Sequence, residues 1–178
     1  MNNKILFENL RCIPDFPIPG IQFQDINPLM GNPECVKVMR DEIVELYKDK
    51  GITKIVGLES RGFVMSSAIA TELNAGVVLC RKKGKLPGKV VGQSYTKEYG
   101  EDTIEIQEDA ISENDIILLH DDVLATGGTM KAAYNLVKKF NPKKIYVNFI
   151  MELLIEGLSG RDVFGEETEI TTLMVVDK

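Results

Sequence analysis

Two adjacent carboxylates, Asp121 and Asp122, stand between an apolar run, Ile116 to Leu119, and a turn of small residues, Ala125-Thr126-Gly127-Gly128-Thr129. Glycines let such a turn present consecutive backbone N–H groups without Cβ obstruction, and the threonine hydroxyls flank it where a following helix leaves its first donors unpaired. A phosphate group suits that geometry. Two carboxylates beside it would repel a nucleotide tail, so they are expected to meet ribose hydroxyls, a bound cation or a developing positive charge. Neighbours on a strand face opposite ways, and both acids can reach one ligand only where the strand has ended. His120, the only histidine, precedes the pair. It could be catalytic; a partly buried strand residue is the simpler reading.

Two further stretches carry chemistry. Glu59-Ser60-Arg61-Gly62 follows a second apolar run and places a hydroxyl and a cation beside a glycine. Arg81 to Lys89 carries five cations, Arg81, Lys82, Lys83, Lys85 and Lys89, interrupted by two glycines and a proline. A solvated loop or a nucleic-acid patch would explain that run, and so would a site for a dense anion.

The elements that position these residues follow from periodicity. Met130, Ala133, Val137 and Phe140 recur at helical intervals until Asn141-Pro142, and the apolar run Lys144 to Ile150 follows at once, so a strand, a helix and a strand form a βαβ unit. Ile52 to Leu58, the loop at 59–62, a helix over Phe63 to Leu73 and a strand over Val77 to Cys80 make an earlier one. Open parallel sheets bind ligands beyond the carboxyl ends of their strands, which sets Ser60 and Arg61 across a crevice from Asp121.

Asn32-Pro33-Glu34 begins another helix, with Val36, Met39, Ile43 and Leu46 or Tyr47 on one face and Gly51 at its end. Ile5 to Ile13 reads as a short helix, Pro14 to Gly20 as a stiff loop, and Ile21 to Ile26 as a short strand with Gln22 and Gln24 facing away from Phe23. Val90 to Tyr95 and Thr103 to Gln107 form a hairpin with Glu98-Tyr99-Gly100 near its tip, expected to act as a lid. Met151 to Leu158 continues apolar, and Glu169 to Val176 is a last strand.

The expected fold is α/β: an open, mainly parallel twisted sheet with helices on both faces. One domain spans 1–178, with a hood at 1–32, a lid hairpin at 82–107 and the strand-loop-helix at 116–141. A chain of 178 residues, 44% of them hydrophobic, can bury one sizeable core. Its net charge of −6 gives no global footprint for nucleic acid, and no 18-residue apolar run suggests a membrane span. Cys12, Cys35 and Cys80 form neither a disulfide framework nor a zinc pattern, and free thiols in a reducing cytoplasm are expected. Neither G-x-x-x-x-G-K-[ST] nor G-x-G-x-x-G occurs.

The apolar strand, acidic pair and Thr-Gly-Gly-Thr turn resemble the type I phosphoribosyltransferases and their signature for 5-phosphoribosyl-1-pyrophosphate. Pro14-Asp15-Phe16-Pro17 with Pro19-Gly20, Gly57 to Phe63, Gly84-Lys85-Leu86-Pro87-Gly88, and Ser94-Tyr95 with Glu98-Tyr99-Gly100 are similar to the adenine-specific branch. That resemblance covers nearly the whole chain. It implies transfer of the phosphoribosyl group to adenine, giving AMP and pyrophosphate, with Mg²⁺ bound through the substrate and possible water-mediated links to Asp121 and Asp122. It also implies a homodimer, with small-molecule substrates and neither a nucleic-acid nor a membrane partner.

Carried over motif by motif, Ala125, Thr126, Gly127, Gly128 and Thr129 hold the 5′-phosphate and Asp121 and Asp122 engage the ribose. Glu59, Ser60 and Arg61 form the pyrophosphate loop, Lys85 reaches the leaving group from the lid, and Arg81 contributes across the dimer interface. Glu98 is the family's proton-transfer residue. Phe23 stacks on the base, Leu153 packs on its other side, and backbone groups of Gln22 and Gln24 read the exocyclic edge. Gln24 replaces a basic residue seen in some relatives, and His120 an aliphatic one. A 6-oxopurine phosphoribosyltransferase would share the acidic pair but should lack the amino-terminal hood; a purine-sensing regulator would need a DNA-binding module, for which the chain shows no signal.

Overall fold

A computed structural model of the chain describes residues 4–97, 100–154 and 160–177. A short helix α1 (Lys4–Asn9) leads into β1 (Arg11–Pro14), which pairs antiparallel with β2 (Gln22–Asp25) as a separate two-stranded sheet. The helix expected to reach Ile13 therefore stops at Asn9. Cys12 and Ile13 instead join a ladder, opposite Gln24 and Phe23, and the partner strand outweighs the weak helical spacing.

After α2 (Asn27–Gly31) comes α3 (Pro33–Tyr47). Asn32 caps it by accepting from the N–H groups of Glu34 and Cys35, and Pro33 fits its first turn. Cys35, Met39, Ile43 and Tyr47 form its buried stripe at four-residue steps. Then follow β3 (Lys54–Leu58), α4 (Gly62–Leu73), β4 (Gly76–Lys82), β5 (Val90–Lys97), β6 (Gly100–Gln107), β7 (Ile116–Leu124), α5 (Gly128–Lys138), β8 (Lys144–Leu154) and β9 (Ile170–Asp177).

The main sheet runs β5-β6-β4-β3-β7-β8-β9. The five strands from β4 to β9 are parallel, while β6 joins β4 antiparallel through Arg81 opposite Glu105 and Lys82 opposite Ile104. The lid hairpin is thus rooted in the sheet itself. One buried cluster, with Met39, Ile43, Tyr47, Met65 and Ile69, lies under α3 and α4; the other, with Met130, Ala133, Leu136 and Val137, lies under α5. Helices cover both faces, as expected.

Alternation along β7 has a fault that the sequence conceals. Leu118 packs on the α3/α4 face while Ile117 and Leu119 pack on the α5 face, yet beyond the acidic pair the parity is reversed: Val123 meets the first cluster and Leu124 the second. The same slip occurs on β8 and β9, the next two strands of the sheet, where the consecutive pairs Ile150-Met151 and Leu173-Met174 each bury both side chains on the α3/α4 face. The slips are aligned. Asp121 pairs with Phe149 and Val123 with Met151, as Phe149 does with Thr172 and Met151 with Met174. Because all three strands slip together, the ladder stays in register on both sides of the line.

Candidate active site

β7 does not end before the acidic pair; it runs through Asp121 and Asp122 to Leu124. The strand expected to end at the pair therefore continues through it, and the two acids point to opposite faces as neighbours on a strand do. Asp121 lines a cavity of about 140 Å³ together with Ala125, Thr126, Gly127, Gly128 and Thr129. Burial, and then the charge of Asp122, push its carboxyl well above the usual aspartate range. Asp122 is buried and turns to the other face, where its Oδ2 lies 2.8 Å from Arg61 Nε. Arg61, expected across a crevice from Asp121, thus meets the other acid of the pair.

Gly127, the residue before α5, has φ +76°, and no side chain caps the helix. A Cβ here would also strike the Gly160 carbonyl and approach Val163 Cγ2 to 2.8 Å, so glycine is required both by conformation and by space. The first N–H groups of α5 therefore face the cavity without a side-chain cap, which is the electrostatic setting for a phosphate. Thr129 Oγ1 donates weakly, at 3.5 Å, to the hydroxyl of Tyr95 on the lid strand β5.

The second loop packs against the first. A Cβ on Gly62 would come within 2.7 Å of the His120 carbonyl oxygen and 3.0 Å of Asp121 Oδ1, so α4 can begin this close to β7 only through a glycine. The Glu59–Ser60 peptide is cis. Glu59 turns away from any anion: it accepts from the backbone N–H of Lys82 at 3.0 Å and from Arg81 Nε at 3.2 Å. Those contacts hold its carboxyl below the ordinary glutamate range, the Lys82 N–H foremost, against the desolvation of burial. Arg81 also donates to the Lys85 carbonyl at 3.0 Å, so Glu59 and Arg81 fix the root of the basic lid segment.

In the hood, Phe23 packs edge-to-face with Phe16 at 5.2 Å, and Gln22 and Gln24 lie on β2 beside it. Asp25, at the end of β2, accepts from Arg11; that bond, then the Asn27 N–H, lowers its carboxyl's pKa, and the field of Arg61 adds to the effect. Arg61 thus electrostatically links hood and acidic pair. Leu153 lies half-buried near the end of β8 and packs on the α3/α4 cluster. Glu98 lies outside the described residues. The hydrogen-bonding residues Tyr95 and Glu152 were not anticipated. Glu152 did leave a signal, as a lone carboxylate inside the apolar run Ile150 to Leu154 that demands a partner if buried.

His120 is fully buried and not in the cavity. Asn148 donates from Nδ2 to Thr171 Oγ1 at 2.9 Å, which turns its Oδ1 toward His120 Nδ1, also at 2.9 Å. Nδ1 then carries the hydrogen, and Nε2 is bare and unpartnered. Burial holds the imidazole's pKa down at about 4, despite the Asn148 bond. It is a neutral structural residue.

A phosphoribosyl transferase domain matches residues 29–156. Over 99% of both chains, the sequence is 54% identical to the adenine phosphoribosyltransferase of Bacteroides thetaiotaomicron; that of Phocaeicola vulgatus is 56% identical over 99% of this chain and 100% of its own. The chain belongs to the adenine phosphoribosyltransferases. The enzyme of Rhodothermus marinus superposes with a TM-score of 0.89 at 43% identity, covering 97% of each chain. That of Giardia lamblia, solved with 9-deazaadenine, gives 0.90 at 40% identity over 99% of this chain and 98% of its own. As an adenine phosphoribosyltransferase, the chain salvages adenine to AMP with 5-phosphoribosyl-1-pyrophosphate as donor.

Proposed function

We propose that the transfer takes place in the crevice at the carboxyl end of the sheet, with the two acids of the pair doing different work. The observation that carries this reading is the shared cavity: Asp121 and the uncapped turn 125–129 line one space, whereas Asp122 faces Arg61. The 5′-phosphate sits on the N–H groups of Gly127, Gly128 and Thr129, with the Thr126 and Thr129 hydroxyls beside it, and Ala125 leads the chain into the turn. Asp121 meets the ribose. Its charge is disfavoured by burial at rest and gains a partner as positive charge develops on the sugar, so it favours the transition state over the ground state.

Asp122 holds Arg61 ready for the pyrophosphate, which then takes over part of the guanidinium's bonding. Ser60 and Lys85 add donors, and Arg81 contributes from across a homodimer interface, while Glu59 positions Arg81. Asp121 lines the cavity and Asp122 stands next to it in its ion pair with Arg61, and their hard oxygen donors fit Mg²⁺ through its waters. When bound with the substrate, Mg²⁺ supplies charge neutralisation of the pyrophosphate. Adenine lies between Phe23 and Leu153. Among the described residues β2 pairs on one side only, and its outer edge offers backbone groups of Gln22 or Gln24 to the exocyclic amine. Glu98, on the lid, handles the proton of the base.

The exposed apolar residues Val64 on α4 and Val77 and Leu79 on β4 offer a surface to a second copy of the chain. The buried thiols of Cys35 and Cys80 suit a reducing cytoplasm. The roles of the acids are tested with Asp121→Asn, which should keep the melting temperature and lower kcat by about 10² or more. Parental turnover in that variant overturns the assignment.

A further inference from the structure

Beneath the phosphate turn lies a segment that no motif announces. A Cβ on Gly160 would strike the Ala125 carbonyl and come within 2.7 Å of Leu124 Cδ1, just as a Cβ on Gly127 would strike the Gly160 carbonyl. Two glycines from distant parts of the chain thus bring two backbones into direct contact, and the depth of the turn is set by where Gly160 sits. The next residue decides that. Arg161 grips Glu152 with both arms of its guanidinium, Nε to Oε1 at 2.7 Å and Nη2 to Oε2 at 2.7 Å, and its Nη1 donates to the Ile170 carbonyl at 3.0 Å. Glu152 is 3% exposed and stands opposite Leu124, the last residue of β7 before the turn.

We propose that the Glu152–Arg161 pair is a positioning device that fixes the phosphate turn against the end of β8, and that its job is affinity for the 5′-phosphate rather than stability. An ion pair between a buried carboxylate and a half-exposed guanidinium is a weak source of stability, because desolvation of one partner and solvent screening of the other offset its attraction. What a bidentate fork supplies is geometry: two parallel bonds fix the plane of the guanidinium, a third ties it to the start of β9, and Gly160 follows. Glu152 also adjoins Leu153, so the same fork holds the phosphate end of the site at a set distance from the wall proposed for the base. The inference rests on the reading of 125–129 as the phosphate cradle.

The test pairs two variants with two ligands that differ only in the phosphate, AMP and adenosine, by isothermal titration. Glu152→Gln keeps the shape and removes the charge; Arg161→Lys keeps the charge and removes the fork. A supporting support structure held loosely by about 1 Å is expensive for a ligand that needs aligned donors, so AMP affinity should fall about tenfold or more in both variants. Adenosine affinity should stay within about twofold of the parent, since the base wall is not held by the fork alone. Parallel losses for both ligands, or unchanged AMP affinity in a folded variant, overturn the proposal. If Glu152→Gln fails to fold, Arg161→Lys decides alone, its side chain being 40% exposed. A parent protein that binds AMP no more tightly than adenosine would instead remove the phosphate-cradle reading, and the proposal with it, before any substitution is made.

Discussion

Acidification should cost this protein stability through one imidazole, and a single substitution isolates the cost. His120 is fully buried, with Nδ1 donating to Asn148 and Nε2 without a partner, so a second proton would have no acceptor. Its pKa is lowered from 6.5 to about 4. Between those values the unfolded chain takes up a proton that the folded chain refuses, so stability falls as pH drops through 6.5 and stops falling, for this group, below about 4. At pH 5 the loss works out at about 2 kcal/mol, approaching roughly 3 kcal/mol at pH 4. Asp121 works the other way, because its raised pKa lets the folded chain take up a proton before the unfolded chain does. Asp115 acts lower down: despite desolvation, bonds from Ser112, Thr53 and Lys54 hold it at about 2, so its contribution is lost only between 3.8 and that value. The parent's own pH profile is therefore a sum, and His120→Val separates one member. Losing the Asn148 bond adds an offset common to every pH, which cancels in the difference. Urea unfolding of both proteins at pH 7.5 and pH 5, at one protein concentration, should show the parent losing about 2 kcal/mol more than the variant. Equal losses would refute the buried neutral histidine.

Gly127→Ala should lower the melting temperature by several degrees and weaken AMP binding, since it combines φ +76° with a backbone clash, whereas Gly128→Ala, whose nearest contact is 4.0 Å away, should melt close to the parent. Thermal melts of the two variants compare them directly. Lys85→Ala should raise the KM for 5-phosphoribosyl-1-pyrophosphate and lower kcat together, because a cation aimed at pyrophosphate serves both bound substrate and leaving group. Steady-state kinetics with unchanged KM would remove Lys85 from the site.

Local chemistry made the centre of the molecule readable. The turn from β7 into α5 uses residues whose conformational and hydrogen-bonding needs are short-range, and the cap of α3 is written in Asn32-Pro33. What stayed hidden depends on partners far away in sequence. The end of α1 at Asn9 depends on β2, the pairing of Arg61 with Asp122 on the approach of α4 through Gly62, and the depth of the phosphate turn on Gly160 and Arg161. The parity slip is invisible for another reason. Ile150-Met151 and Leu173-Met174 are apolar whichever way they point, so pattern alone cannot reveal that consecutive residues share a face.

That slip divides the sheet into two territories for anyone who would redesign it. Up to Asp121, Phe149 and Thr172, a strand obeys the ordinary alternating rule, and a substitution there is judged by the helix packed above it. Past Val123, Met151 and Met174 the rule holds with its sign reversed, so a new side chain grafted by counting residues from the core would emerge on the wrong side of the crevice. Recutting the pocket for a different base therefore calls for a one-place shift in the design pattern across all three strands at once, and the part of the sheet beneath can be left as it is.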